Sequence, residues 1–490
     1  MSTSPQWTEG YRTDIDYAHS VYAEMTPAHL AFCLLLKGIR PPAALAGGVR
    51  FAELGCGQGA TSNMVAALDP KAKVVAVDFM PAHMAAAARL AEAAGSRNIV
   101  FLDDSFAQFA ERDGAPFDVI ALHGVWSWVS EENRRTLLQV LARRLAPGGL
   151  VYVSYNCLPG WAAQMPVRRL LLEGVRTASG PLPDRIASAL RLAHGMAGLE
   201  QGYFDHVPGA AAHLNGLDGK TDSYISHEYL NRDWAPFYHA DVAAQMAEAK
   251  LSFAASATLA DHLDDDLSPE AHALLAEAAD DAQRETFRDY LTYSRFRRDL
   301  FVRGPQHLPE GERRAVLLEM RFGLVERMAA ARPGLETRIM EDLAAKGPVL
   351  TVAQLQGADD FESVLAALVR LAAFGGVAPL WGVVDQDGAA RFNAAVLDRN
   401  RWSPELRQLV SPVLGAPVML DLLERLFLLA ARSERNPAEF AWGVLRERGR
   451  RLMRDGVYLD GDDANLAEMR HLQARFQAGR KGYLESIGIA

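Results

Sequence analysis

Glu53-Leu-Gly-Cys-Gly-Gln-Gly59, entered from the apolar run Val49-Arg-Phe-Ala, decides the fold of this chain. A second apolar run, Lys73-Val-Val-Ala-Val, ends on Asp78, nineteen residues beyond Gly59. Strand, glycine turn, helix, strand, acid is the plan of a Rossmann-like nucleotide-binding unit. The glycines let the backbone approach a ligand closely, and an acid closing the second strand can grip both ribose hydroxyls. A dinucleotide fingerprint spaces its glycines G-x-G-x-x-G and sets a pyrophosphate on the helix N-terminus. Here the spacing is G-x-G-x-G, and Glu53 leads the loop. An anion repels a pyrophosphate, whereas it attracts the ammonium and sulfonium of S-adenosylmethionine. The expected cofactor is therefore S-adenosylmethionine, and a dinucleotide oxidoreductase is the disfavoured reading.

The runs that follow extend the same unit. Asn98-Ile-Val-Phe-Leu-Asp-Asp-Ser105, Phe117-Asp-Val-Ile-Ala-Leu-His123 and Gly149-Leu-Val-Tyr-Val-Ser-Tyr155 read as a third, fourth and fifth strand. Pro81 to Ala94 reads as a helix, with Pro at its start and Gly95 at its end. Strands alternating with helices predict an α/β fold, a parallel sheet with helices on both faces and ligands at the carboxyl ends of its strands. Every polar signal quoted so far falls at those ends.

On these strands, and on His123-Gly-Val-Trp-Ser-Trp-Val129 and Ser154-Tyr-Asn-Cys-Leu-Pro-Gly-Trp161, the chain resembles a group within the class I S-adenosylmethionine-dependent methyltransferases. That group carries a methyltransferase regulatory domain and includes the protein lysine methyltransferases that modify rickettsial outer membrane protein. His227-Glu-Tyr-Leu-Asn-Arg-Asp-Trp-Ala-Pro-Phe-Tyr238, Ala247 to Ser256 and Phe296-Arg-Arg-Asp-Leu-Phe-Val-Arg303 are similar to it too. The likeness is dense from Tyr11 to Gly304 and thin beyond. It implies methyl transfer to a nitrogen nucleophile, lysine side chains of a protein above all. A small-molecule or natural-product methyltransferase on the same scaffold and a non-catalytic partner that only binds the methyl donor are the alternatives.

Composition sets the outer limits. A chain of 490 residues with 49% hydrophobic and 23% charged residues suits two or three soluble domains. Cys33, Cys56 and Cys157 lie far apart, so neither a disulfide nor a metal site is expected. The start, Met-Ser-Thr-Ser-Pro-Gln-Trp, lacks the pattern of a signal peptide, and no apolar run reaches membrane-spanning length. A cytoplasmic protein without membrane insertion is the expectation. Residues 211–304 hold 9 basic against 17 acidic residues, a balance of −8 within the chain's −10. No basic stripe suits a nucleic acid, so the expected partner is a protein or peptide, basic or lysine-containing.

Three units are expected. Residues 1–215 would form the methyltransferase domain and 216–304 a mainly helical regulatory domain. Residues 305–490 would form a helix-rich, winged-helix-like unit, since Thr351 to Val384 reads helix, helix, strand. Arg284 to Phe301 reads as a helix, and Pro181 to Gly219 as a connector.

Glu53 with Gly55, Gly57 and Gly59 is expected to frame the methionine end of the cofactor, and Asp78 to hold the ribose. Phe79 or Met80 would flank the adenine, and Asp104 with Ser105 would meet its edge. Tyr17 and Tyr22, on a leading helical segment, would cover the methyl donor. His123, at the mouth of the fourth strand, would stand at the methionine end and act as a base. The acceptor pocket is expected from Tyr155 and Asn156, from Trp126 or Trp128, and from Trp161, whose rings suit an amine at roughly 0.5–2 kcal/mol each. Burial near a sulfonium would lower a lysine pKa from its reference of about 10.4, so a strong base is not required.

Overall fold

The structure, a computed structural model, describes residues 20–199, 201–263, 267–328 and 331–490. Its centre is a seven-stranded sheet of β1 (Arg50–Leu54), β2 (Lys73–Val77), β3 (Ile99–Leu102), β4 (Phe117–Leu122), β5 (Leu145–Asn156), β6 (Ser252–Ser256) and β7 (Phe296–Val302). The strand order is β3-β2-β1-β4-β5-β7-β6. β1 to β5 run parallel; β7 pairs antiparallel with both β5 and β6. The order reverses between β1 and β4, and the turn after β1 opens at that switch point, where open α/β sheets bind ligands.

The local elements follow from residue chemistry. Helix α1 (Pro27–Leu36) begins on a Thr26 cap with Pro in its first turn. Helix α2 (Ala60–Leu68) starts directly from Gly59, whose φ of +63° suits glycine and few other residues. Helix α3 (Pro81–Ala93) opens on proline, and α4 (Phe106–Glu111) on a Ser105–Gln108 capping box. Helix α5 (Glu131–Arg144) carries Glu131 and Glu132 in its first turn and Arg143 and Arg144 in its last, which matches its dipole.

The middle unit is mainly helical, as expected, but it is not helical throughout. It supplies β6 and β7, which complete the sheet of the first unit. Arg284 to Phe301 is not one helix: the helix Asp281–Thr292 ends on Tyr293 at φ +52°, and β7 begins at Phe296. Apolar residues at helical spacing across that boundary hid the strand's alternation, in which Arg297 and Asp299 share one face. Pro181 to Gly219 is likewise more than a connector. Helix Leu182–Ala197 packs with Met165–Thr177, Ala210–Asn215 and Asp222–Tyr229 around Val167, Leu171, Ile186, Ala193, Leu214 and Ile225. The stretch between β5 and β6 is therefore a helical insertion with its own core.

The leading segment is broken at Thr26-Pro27, with a short turn over Ala23–Met25 before α1. The C-terminal unit shows the expected helix–helix–strand order in Val352–Gln356, Phe361–Ala373 and Val377–Leu380. The strand that completes its small sheet, Arg321–Leu324, comes from upstream rather than from a returning wing. Helix Gln386–Asn400 of this unit lies against α2 so closely that a Cβ on Gly388 would stand 2.1 Å from the Ala67 carbonyl. One hydrophobic core runs from α1 and α2 into this unit.

Candidate functional site

A cavity opens at the carboxyl ends of β1, β2, β3 and β4. Glu53, Gly55, Gly57, Gly59, Asp78, Phe79, Asp104, Ser105, His123 and Tyr22 all line it, as expected from sequence. The turn Gly55 to Gly59 is pinned by the Gly55 and Cys56 N–H groups, which donate to the Val77 carbonyl at 2.8 and 3.0 Å. All three glycines have positive φ. A Cβ on Gly55 would stand 2.5 Å from the Val125 side chain, whereas Gly57 has open space there, so the backbone itself forms the cavity floor.

The electrostatics of this floor are one-sided. Glu53 is buried and accepts a hydrogen bond from Ser62. Burial pushes its carboxyl up to about 7; the Ser62 contacts oppose this and neighbouring Asp78 adds to it. Asp78 accepts from the Gly57 N–H at 2.9 Å and the Met80 N–H at 3.0 Å, with His83 Nδ1 at 3.3 Å. Asp104 lines the cavity while paired in a fork with the Arg112 guanidinium. Together with Asp233 these make four carboxylates, and no Lys or Arg lines the cavity among the described residues. No cluster among those residues is suited to a metal ion.

The upper wall stacks Tyr22 on His123, with ring centroids 3.6 Å apart. His123 Nδ1 shares a 2.8 Å hydrogen bond with the Tyr152 hydroxyl. Burial lowers the imidazole to about 4, so it is neutral at physiological pH and holds a proton poorly. That weakens the expectation of His123 as base and leaves it as a wall. Trp128, Val129, Ser130 and Asn133, from the loop after β4 and the start of α5, form the remaining side with Asp233.

Several expected site residues stand elsewhere. Trp126 is fully buried in the core against the sheet, and Trp128 takes the cavity position. Tyr155 is fully buried too: the pleat turns it to the face opposite Tyr152, where its hydroxyl donates to Asp299 at 2.5 Å. Asn156 is 3% exposed and does not line the cavity. Its N–H donates to Ser127 Oγ at 2.8 Å, which ties β5 to the loop after β4. Met80 contributes its backbone to Asp78 and is not in the wall; Tyr17 lies outside the described residues. Trp161 packs at 4.9 Å against Trp234 in the helical insertion.

Sequence reasoning missed Gln58, Phe106, Asn133 and Asp233, all in the wall. Asp233 stood inside a quoted motif, but its aromatic neighbours drew the attention. Glu228, whose carboxyl burial raises to about 7, also went unread; its charge acts on Tyr22.

Comparison with known proteins places this geometry. Residues 52–151 match the family described as "Methyltransferase domain", and 221–303 the family described as "Predicted methyltransferase regulatory domain". Uncharacterized protein sll1526 of Synechocystis sp. is 34% identical over 505 residues, covering 99% of this chain and 100% of that protein. The chain belongs to the S-adenosylmethionine-dependent methyltransferases that carry a regulatory domain. The methyltransferase is also similar to the solved structure of PKMT2 from Rickettsia typhi in complex with AdoHcy. TM-score there is 0.69 at 17% identity, with 94% of this chain and 98% of that one covered. Trans-aconitate 2-methyltransferase of Variovorax paradoxus is 33% identical over 172 residues, 34% of the methyltransferase and 58% of that protein.

The match to the methyltransferase family implies S-adenosylmethionine as the cofactor, and the residues present fit it. Glu53 and Asp78 form a buried acidic pair with no Lys or Arg in the wall among the described residues, and Gly57 leaves room for a ligand. A ligand bearing two positive centres supplies what this floor lacks. No described helix is long and apolar enough to cross a membrane.

Proposed function

We propose that this methyltransferase acts on an amine nitrogen of a polypeptide, a lysine side chain in the first instance. One observation carries the reading: beyond the carboxylates at the cofactor floor, Asp233 stands in the cavity wall after β4, and no described Lys or Arg lines the cavity. Such a wall attracts a cationic acceptor and repels an acid, phosphate or carboxylate acceptor. A trans-aconitate-like substrate would need cations that this wall does not offer. The likeness to PKMT2 supports the polypeptide reading at the level of fold.

In this reading Glu53 and the glycine turn hold the methionine end of the cofactor, Asp78 the ribose, Phe79 the adenine face and Ser105 its edge. When bound, S-adenosylmethionine supplies a methyl carbon activated by a sulfonium. The chain's own work is positioning and exclusion of water. Tyr22, His123 and Trp128 wall the acceptor's approach with rings, and a group held there loses its hydration. An entering ammonium meets carboxylates that draw it in, and it passes its proton to solvent before the wall closes around it. His123, with its imidazole at about 4, does not retain that proton at neutral pH.

The test is incubation of purified protein with methyl-labelled S-adenosylmethionine and a lysate of its host. Label recovered as methyl-lysine after hydrolysis of the protein fraction is the expected result. Label confined to small molecules would replace the reading with the natural-product alternative.

A further inference from the structure

The outer wall of the cavity is not built from the Rossmann-like unit alone. Asp233 lines it beside Trp128, Ser130 and Asn133, and it comes from the segment that closes the helical insertion. That segment is stitched down on both sides of Asp233. Arg168 donates to the Asn231 carbonyl at 2.6 Å, and the Ala235 N–H donates to the Ser127 carbonyl at 2.9 Å. The Phe237 N–H donates to the Asn156 carbonyl at 2.9 Å. Trp234 is clamped between Trp161 at 4.9 Å and the Arg168 guanidinium at 4.5 Å. A carboxylate between such anchors is placed, not merely present.

Of the four cavity carboxylates, Glu53 and Asp78 belong to the floor at β1 and β2, and Asp104 is held by Arg112. Asp233 is the one on the wall formed after β4. Its ion pair is with its chain neighbour Arg232 at 2.8 Å, whose side chain is 66% exposed. An exposed pair of this kind is weak, and the carboxylate can exchange it for an incoming cation. Arg134 stands behind the wall within electrostatic reach of Asp233, and its guanidinium is held by the Val129 carbonyl and over the Phe237 ring at 4.9 Å.

We infer that Asp233 receives the acceptor's cationic amine at the cavity wall and, once that ammonium has given its proton to solvent, accepts a hydrogen bond from the neutral amine and so positions its lone pair for the methyl donor. The inference rests on the amine-acceptor reading above. It makes the regulatory segment part of the acceptor site, as the source of a positioning residue. No bond is made or broken at Asp233: it accepts hydrogen bonds from the nitrogen.

Two ligands test this without knowledge of the natural acceptor. Sinefungin carries an ammonium where S-adenosylmethionine carries its methyl group, and S-adenosylhomocysteine carries nothing there. Dissociation constants of both are measured by calorimetry on the wild-type protein and on Asp233→Asn, with melting curves to show that the variant is folded. The expected result is a loss of about fivefold or more for sinefungin, with S-adenosylhomocysteine within about twofold. Asp233→Glu should recover part of the loss. Equal loss for both ligands would make Asp233 a floor residue of the cofactor site, and no loss for either would remove it from the site; each overturns the inference. Label transferred only to oxygen or carbon acceptors would overturn the amine reading while leaving the sinefungin contrast in place, so the two failures are told apart.

Discussion

Two groups of buried carboxylates lie on the same sheet and behave in opposite ways. Asp299 of β7, with Glu285 and Asp289 of the helix before it, surrounds Arg297 at 3.0, 2.8 and 2.7 Å. His239 adds a 2.9 Å contact and Tyr155 a hydroxyl. Burial alone would raise the Asp299 carboxyl, but Arg297 and His239 overcome it and hold it well below the ordinary range. At the other group no described Lys or Arg pairs with Glu53 or Asp78, whose partners are Ser62, two backbone N–H groups and His83, and the Glu53 carboxyl rises to about 7. A cluster neutralised from within holds elements together. A cluster left without an arginine or lysine of its own beside a cavity is completed by what it binds.

The sharpest way to break this comparison is Arg297→Met. Three buried carboxylates would lose their shared partner, and the folded state should lose about 3–5 kcal/mol in denaturant unfolding. Wild-type stability in that variant would mean the cluster is no clamp. Asp78→Ala should do the reverse. Methyl-donor affinity should fall by about tenfold or more in titration calorimetry, while the lost Gly57 and Met80 hydrogen bonds cost about 2 kcal/mol of unfolding free energy, less than Arg297→Met. Unchanged affinity would remove Asp78 from the site.

Glu53 gives the pH signature. Its carboxyl is raised in the folded, unliganded protein, so the folded state holds the extra proton between the ordinary carboxylate range and about 7. Stability of the unliganded protein should therefore fall as pH rises through that window. Affinity for a cationic methyl donor should instead rise from pH 6 to 8, by up to about tenfold, and Glu53→Gln should flatten the profile. A flat wild-type profile would contradict the assignment. The smallest effect is expected from Tyr155→Phe, which loses one hydrogen bond to Asp299. It should cost about 1 kcal/mol of stability and leave methyl-donor affinity alone. A large loss of turnover at intact stability would return Tyr155 to the chemistry.

The cavity floor at the strand ends was legible because its parts are local. Glu53, the three glycines, Asp78, Phe79, Asp104 and Ser105 all sit within two residues of a strand end or in the turn that follows it, and spacing alone brings them to one cavity. The acceptor half was read poorly because its parts are not. Tyr155 and Trp126 were near the right strand ends, yet a strand's alternation and a loop's path sent both into the core. Two residues along the loop, from Trp126 to Trp128, separate core from cavity. β7 reads as helix in the sequence because apolar residues at helical spacing run across its start, and Arg297 and Asp299 are buried there among partners from other elements, Glu285, Asp289 and His239.

What belonged to the chain's local order, then, was the strand–turn–helix unit, its acid-led glycine turn and the preference for a cationic cofactor over a pyrophosphate. Those depend on backbone conformation and on charges a few residues apart. Tertiary structure alone decided which segments complete the sheet, which aromatic ring faces the cavity, and that a carboxylate from a distant helical insertion stands in its wall. Contacts such as Ala235 to Ser127 and Phe237 to Asn156 join positions far apart in the chain. No periodicity announces them, because they arise from packing one finished unit against another.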